Sequence, residues 1–547
     1  MSRCFLASLL AVTAFSAAAE RPEMQFSPAA LRAHVEFLAD DLLEGRKAGT
    51  RGHEVAARYV ATRFEALGLQ PANGESWYQV VPMQSSALVP GVQPTLTIGG
   101  RVFPHKEDVV LRPSPVAPQQ DVAVEAVFAG YCLDKPDQGS DDYAGLDVKG
   151  KVLACLAGFP KGMPSDIGAH LSSRRTLMAQ EHGAIGVLTI GTRQSAKAFP
   201  WPVVLSYADE PQASWIQPDG TPYRLAPDIQ TTAYLNTPAT EALFGGAPRS
   251  YADILEEADR EGGKPRGFAL AQKVRFSIGS RMTRFESPNV LALLPGADPR
   301  RAKEVIVLVA HLDHLGKGHG GTPETVDPGA LDNAAGVATL LEVARALAES
   351  PHRPARSILF AAVTGEEMGL LGSQYLARNP VVKDARSVAV ICLDAPILLY
   401  DFTDVIAFGA EHSTLGPAIA KAVARAGVKS SADPLPEQGL FTRSDHYSFV
   451  KEGVPGVFLV TGFANGGDKA FGEYLQKYYH QPGDNLKLPI DWKAAARFAR
   501  INALIAEEAA NAQAPPLWYE DSLFAKTYAP NAPKAKRVSP ASFPSRG

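Results

Sequence analysis

From Pro288 onward the chain alternates between short apolar runs and helical stretches, and this feature constrains its fold more than any other. EVIVLVAHLD (304–313), SILFAAVTGEE (357–367) and SVAVICLDA (387–395) show no alternation of apolar and polar residues. Each therefore reads as a strand buried on both faces. Residues 334–348, between the first two, read as a helix. Apolar strands separated by helices predict an α/β fold: a mostly parallel sheet with helices on both faces. In such sheets, sites form beyond the carboxyl ends of the strands. Here the carboxyl ends carry the imidazole and carboxylate groups.

A chain of 547 residues exceeds a single compact core, so more than one folded unit is expected. Ser27 before Pro28 opens a capped helix expected to run to Leu43, followed by the polar turn LEGRKAGTRG. A second helix is expected from His53 to Leu67, stopped by Gly68, with short strands from Tyr78 to Leu111. RPSPVAPQQ (112–120) reads as a linker. A second unit of short strands and small helices then occupies about 120–270. The large α/β unit is thus expected from 27–115 together with 285–515. The Pro-rich, basic stretch 529–547 lacks periodicity and is expected to be a flexible tail.

Arg3, the apolar run Phe5–Phe15 and Ser16-Ala17-Ala18-Ala19 have the order of a secretory signal, with cleavage expected after Ala19. The chain is therefore expected to be exported, to the periplasm or the medium. No later apolar stretch is long enough to span a bilayer, so no membrane insertion is expected once the signal is removed. Beyond the signal, Cys132, Cys155 and Cys392 allow one disulfide at most. With 54 Lys+Arg against 58 Asp+Glu and no long block of either sign, nothing suggests a nucleic-acid surface. Oligomeric state is not legible.

Five segments carry candidate chemistry. HLDH supplies His311 and Asp313, GALDNAAG supplies Asp332, TGEEMGLLGS supplies Glu366 and Glu367, ICLDA supplies Asp394, and YYHQPGDN supplies His480. Singly, each has a bland reading: a strand-end Asp as a turn cap, a lone His as a hydrogen-bonded surface residue. Together they bring two imidazoles and several carboxylates to one sheet edge, which would repel strongly without cations. That ligand mix suits zinc or another borderline divalent ion.

In H-x-D, G-A-x-D-N, G-E-E-x-G-L-x-G-S and the late Y-H, in that order, the chain resembles the co-catalytic zinc peptidases of clan MH, which include bacterial leucyl aminopeptidases and glutamate carboxypeptidase. The resemblance covers about 27–115 and 285–515. It implies two zinc ions, with Asp332 bridging them, His311 and Asp394 completing one, and Glu367 and His480 the other. It further implies Glu366 as general base, Asp313 orienting His311 from behind, and Tyr479 stabilising the oxyanion or merely packing. Ser444, Asp445 and His446 in RSDHYSF are expected to shape the site, while His314 and His319 are expected to be spectators. GYC, DDYAGLDVKGKV and HGAIGVL make the unit at 120–270 resemble a protease-associated domain.

The resemblance implies an aminopeptidase acting on peptides with a free N-terminus. Within the clan, a carboxypeptidase or a glutaminyl cyclase is the alternative; outside enzymes, a receptor-like binding protein of the same architecture is. The metal-bearing segments 311–313, 366–373 and 394–399 contain no Arg or Lys to hold a terminal carboxylate, which favours the aminopeptidase.

Overall fold

The computed structural model describes residues 24–537 apart from 320. The expected signal and residues 538–547 lie outside the described residues. The core is a mixed sheet whose centre is parallel. Glu304–His311 pairs in parallel with Ser357–Val363 on one side and Arg386–Cys392 on the other, and Arg386–Cys392 pairs in parallel with Gly456–Thr461. Antiparallel partners flank this centre: Asp404–Phe408 beyond Gly456–Thr461, and the end of Phe268–Leu294 beyond Ser357–Val363.

The uninterrupted apolar runs follow from burial on both faces. Along Glu304–His311, Ile306, Leu308 and Ala310 enter one core, while Val305, Val307 and Val309 enter another. The first core is closed by the helices Ala335–Ala348 and Trp492–Asn511, the second by Tyr447, Phe449 and Phe524. Period-2 side chains with a helix layer on each side leave no face for polar alternation.

The unit around 120–270 has its own parallel strands, Val152–Leu156, Gly186–Ile190 and Thr231–Leu235, and its own hydrophobic core. Phe268–Leu294 serves both units. Its first half pairs with Gln119–Phe128 and Thr95–Ile98, and its second half pairs with Tyr78–Leu88. The strands Thr95–Ile98, Arg101–Pro104 and Val109–Leu111, expected with the large unit, instead pack in the core of the insert. The junction therefore falls near residue 90, not 115. Strand pairing decides it, and the proline-rich stretch taken as a linker lies inside the insert.

Other boundaries moved for local reasons. The first helix is Pro28–Leu38, capped by Ser27, and stops short of Leu43 because Asp40 caps a new turn through the Leu42 N–H (2.8 Å). The second helix is Arg51–Ala66. Cys132 and Cys155 are joined in a disulfide, and Cys392 is buried and free. Residues 529–537, expected to be flexible, are held down. The Ala535 N–H donates to the Trp518 carbonyl (2.8 Å), and Arg537 forms two bonds to Asp521 (2.9 and 3.1 Å). Among the described residues, no helix is long and apolar enough to cross a membrane.

Candidate metal centre

The parallel strands aim their carboxyl ends at one cleft. His311 ends the first strand, Asp394 follows Cys392, and Glu366 and Glu367 follow Val363. Asp332 reaches the same place from the turn before Ala335–Ala348. A Cβ on Gly336 would sit 2.4 Å from the Leu393 carbonyl, so the start of that helix is pressed against the segment bearing Asp394. His480 comes from the loop after Gly467–Lys477, in a left-handed backbone conformation (φ 56°) that non-glycine residues adopt mainly where surroundings enforce it.

Asp332 organises the cluster. Its Oδ1 lies 3.2 Å from His311 Nε2, which is also 3.0 Å from Asp394 Oδ1. Its Oδ2 lies 3.3 Å from His480 Nε2, which is 3.2 Å from Glu367 Oε2. The result is two donor sets, each with one imidazole and one terminal carboxylate, sharing Asp332 through separate oxygens. All five residues expected as ligands converge here, and an imidazole–carboxylate set of this kind suits a divalent cation such as zinc. The carboxylates hold His311 and His480 well above the ordinary imidazole range against burial, which pulls both down.

Asp313 works differently from the expectation. Its backbone carbonyl, not its carboxylate, accepts from His311 Nδ1 (3.1 Å), which leaves Nε2 free to face Asp332 and Asp394. Its carboxylate instead accepts the N–H groups of Glu366 (3.1 Å) and Glu367 (3.4 Å), fixing both glutamates. Burial pushes Asp313 up to about 6. Glu366 is raised well above the usual carboxylate range, first by burial and then by Glu367, Asp394 and Asp445, with His311 opposing. Burial likewise lifts Asp445 to about 7. The Ser444 hydroxyl donates to Asp394 Oδ2 (2.6 Å), as expected of a supporting residue. The Tyr479 ring stacks on His480 at 3.9 Å, and burial pushes its phenol above its ordinary range.

Several contributors escaped the sequence reading. His314, expected to be a spectator, places Nδ1 2.7 Å from Glu367 Oε1. His319 lies on the cavity wall, its ring 6.3 Å from that of His480. The Asp484 carboxylate accepts the N–H groups of Leu331 and Asp332 (2.9 Å each) and the Tyr474 hydroxyl (3.0 Å), which fixes the backbone that presents Asp332. Arg46 is fully buried behind the cluster and donates to the carbonyls of Leu38, Leu312, Pro328 and Gly329. Burial lowers its pKa to about 10, with Asp484, Asp313, Asp332 and Glu367 opposing. From the insert, the Tyr207 hydroxyl lies 3.1 Å from His480 Nδ1. A cavity of about 300 Å³ opens onto Glu367, His314 and His480, with Lys47 and Arg112 also on its wall.

Residues 289–506, which carry every one of the five converging donors, match the peptidase family M28. This part of the chain is an M28-like domain. Over 92 residues the chain is 44% identical to a probable zinc metalloprotease of Pyrenophora tritici-repentis, covering 17% of this chain and 18% of that protein. Over 127 residues it is 33% identical to a vacuolar membrane protease of Saccharomyces cerevisiae, covering 23% of this chain and 11% of that one. The chain thus spans less than a fifth of the length of either curated relative. An aminopeptidase from Aneurinibacillus sp. strain AM-1 shares the fold of the M28-like domain and its insert, with a TM-score of 0.52 and 20% identity over 89% of this chain and 95% of that structure.

Proposed function

We propose that the protein is an exported zinc metallo-aminopeptidase that removes the N-terminal residue of peptides. One observation carries the reading: Asp332 turns one oxygen to each of two imidazole–carboxylate pairs. In this reading His311 and Asp394 hold one zinc, Glu367 and His480 the other, and Asp332 both. Zinc ions bound there would polarise the scissile carbonyl and acidify a water between them.

Glu366 is the general base. Its raised pKa suits a group that takes a proton from the attacking water and delivers it to the departing amine. Glu367 points to His480 and His314 instead, so the adjacent glutamates divide the work. Asp313 keeps both in register through their N–H groups. Tyr479 remains a protonated donor at neutral pH and is placed beside His480 to serve the oxyanion. The segment 1–19 acts as the export signal. The unit at 120–270, read as a protease-associated domain, forms one wall of the cleft through Tyr207. A disulfide in that unit agrees with an oxidising compartment.

A carboxypeptidase is the second reading, and Lys47 and Arg112 on the cavity wall favour it. Both arrive from distant parts of the chain, outside the cation-free segments 311–313, 366–373 and 394–399. The aminopeptidase reading rests on the carboxylates around the metals, which suit a substrate ammonium. Zinc-loaded protein should cleave a peptide whose carboxyl terminus is amidated about as fast as the unmodified one, and acetylation of the amino terminus should stop it. The reverse pattern makes the protein a carboxypeptidase.

A further inference from the structure

A second, larger cavity of about 430 Å³ adjoins the metal cavity, and Arg112, Gln212, Ala213 and Met368 line both. Its size is that of a ligand site. One wall is the M28-like domain, through Leu371–Arg378 and His446–Lys451, the helices that follow Glu367 and Ser444. The other is the insert. Five cations line it, Arg112, Arg174, Arg224, Arg378 and Lys451, against one carboxylate, Glu452. The whole chain carries a net charge of −4, so this concentration is local.

These cations are held by neutral groups. Arg174 donates to the Tyr528 hydroxyl (3.2 Å), Arg112 to the Tyr207 carbonyl (2.9 Å) and Arg224 to the Pro227 carbonyl (2.6 Å). Arg378 lies over the Tyr223 ring (4.6 Å) and Lys451 over the Tyr447 ring (5.3 Å). Among the described residues, Glu452 is the one carboxylate lining the cavity, 2.8 Å from Arg378. Carbonyls, phenols and aromatic faces fix a cation in place without cancelling its charge. Burial, with Arg378 and Arg174 nearby, lowers Lys451 to about 8 against the pull of Glu452. Positions are fixed and charge is left over, which is how a protein prepares for an anion.

We propose that this cleft binds carboxylates of the peptide substrate downstream of the cleaved bond, and so directs the enzyme towards acidic or short peptides. The proposal rests on the peptidase reading above. Leu371–Arg378 spans about 12 Å at the helical rise, and an extended peptide advances about 3.3 Å per residue. The helix that follows Glu367 thus carries Arg378 about the length of three to four extended residues from its own start, in the cleft that adjoins the metal cavity. A carboxylate reaching Arg378 and Lys451 is either an acidic side chain or the C-terminus of a short peptide.

Direct binding separates these sources. The probe is a pentapeptide whose first amide is reduced to an uncleavable amine, titrated calorimetrically into the zinc-loaded protein. Four forms combine glutamate or glutamine at the last two positions with a free or amidated C-terminus. The fully acidic form should bind about tenfold or more tighter than the neutral one, the scale of one charge-assisted hydrogen bond, and less so at high salt. Loss of the advantage on amidation alone identifies the C-terminus as the ligand; loss on glutamine substitution alone identifies the side chains. Arg378→Gln with Lys451→Met should erase the difference. Binding of all four forms within about twofold in the unmutated protein overturns the proposal, whether or not the variant folds. A charge preference in a protein that hydrolyses none of the unreduced peptides supports the cleft and sinks the peptidase reading instead.

Discussion

Asp484 sits four residues after His480 and binds no metal in this account, yet its replacement should loosen the centre. Its carboxylate accepts three hydrogen bonds, from the N–H groups of Leu331 and Asp332 and from the Tyr474 hydroxyl. Asparagine keeps the shape but retains one carbonyl oxygen, and its NH2 group then faces a donor. One buried N–H is orphaned at a cost of about 1–3 kcal/mol, and a remaining charge-assisted bond becomes neutral, costing about 1 kcal/mol more. Asp484→Asn should therefore lose roughly 2–4 kcal/mol, or about 3–6 °C in melting temperature for a domain of about 300 residues. Because Asp332 is presented by that backbone, zinc affinity should fall about 10–100-fold. Melting the chelated variant gives the first quantity, and competition with a zinc indicator gives the second. A variant that melts with the parent and binds zinc equally tightly would refute the argument that Asp484 positions Asp332.

Three further outcomes are expected. Glu366→Gln should retain zinc while turnover falls by about 10²–10⁴, whereas Glu367→Ala should lose zinc; metal analysis showing the opposite pattern reverses the two roles. Burial lowers His53, His170 and His446 to about 3 each, so between pH 6.5 and 3 the unfolded chain binds protons that the folded chain refuses. Each of these histidines should then cost about 1.4 kcal/mol per unit as pH falls through that window, opposed by Asp313 and Asp445, whose raised carboxyls take up protons in the folded state there; His53→Gln should remove its share, and a variant whose stability changes with pH as the parent's does between about pH 6 and 5 would contradict it. Replacing Cys132 and Cys155, 23 residues apart, with alanine should cost the insert about 3 kcal/mol from loop closure, read as an earlier unfolding transition; an unchanged transition would count against it.

The metal donors were legible because a strand buried on both faces is written as an unbroken apolar run, and the run stops where the polar group leaves the sheet. Of the expected donors, His311, Glu367 and Asp394 each lie at such a stop. Asp332 and His480 lack that mark; they stood out as an acidic and an imidazole group, and the family resemblance supplied their roles. What stayed hidden depends on chain-distant contacts. Tyr207 meets His480 across 273 positions, and Arg46 meets Pro328 across 282. Asp313 was read through its side chain, although its carbonyl orients His311 and its carboxylate serves the glutamates. The first helix was read too long because the apolar period continues past Leu38, while the Asp40 cap that ends it is a local hydrogen bond. The domain junction was misplaced because short strands at 95–111 look alike in either sheet, and only pairing assigns them.

The two-ion centre is open to a titration that couples metal stoichiometry to activity. Chelator-stripped protein would be titrated with zinc while bound metal and hydrolysis of an unblocked peptide are followed together. The shared Asp332 predicts that binding saturates at two ions per chain and that full activity arrives only with the second. Full activity at one ion, or in stripped protein under chelator, would contradict it.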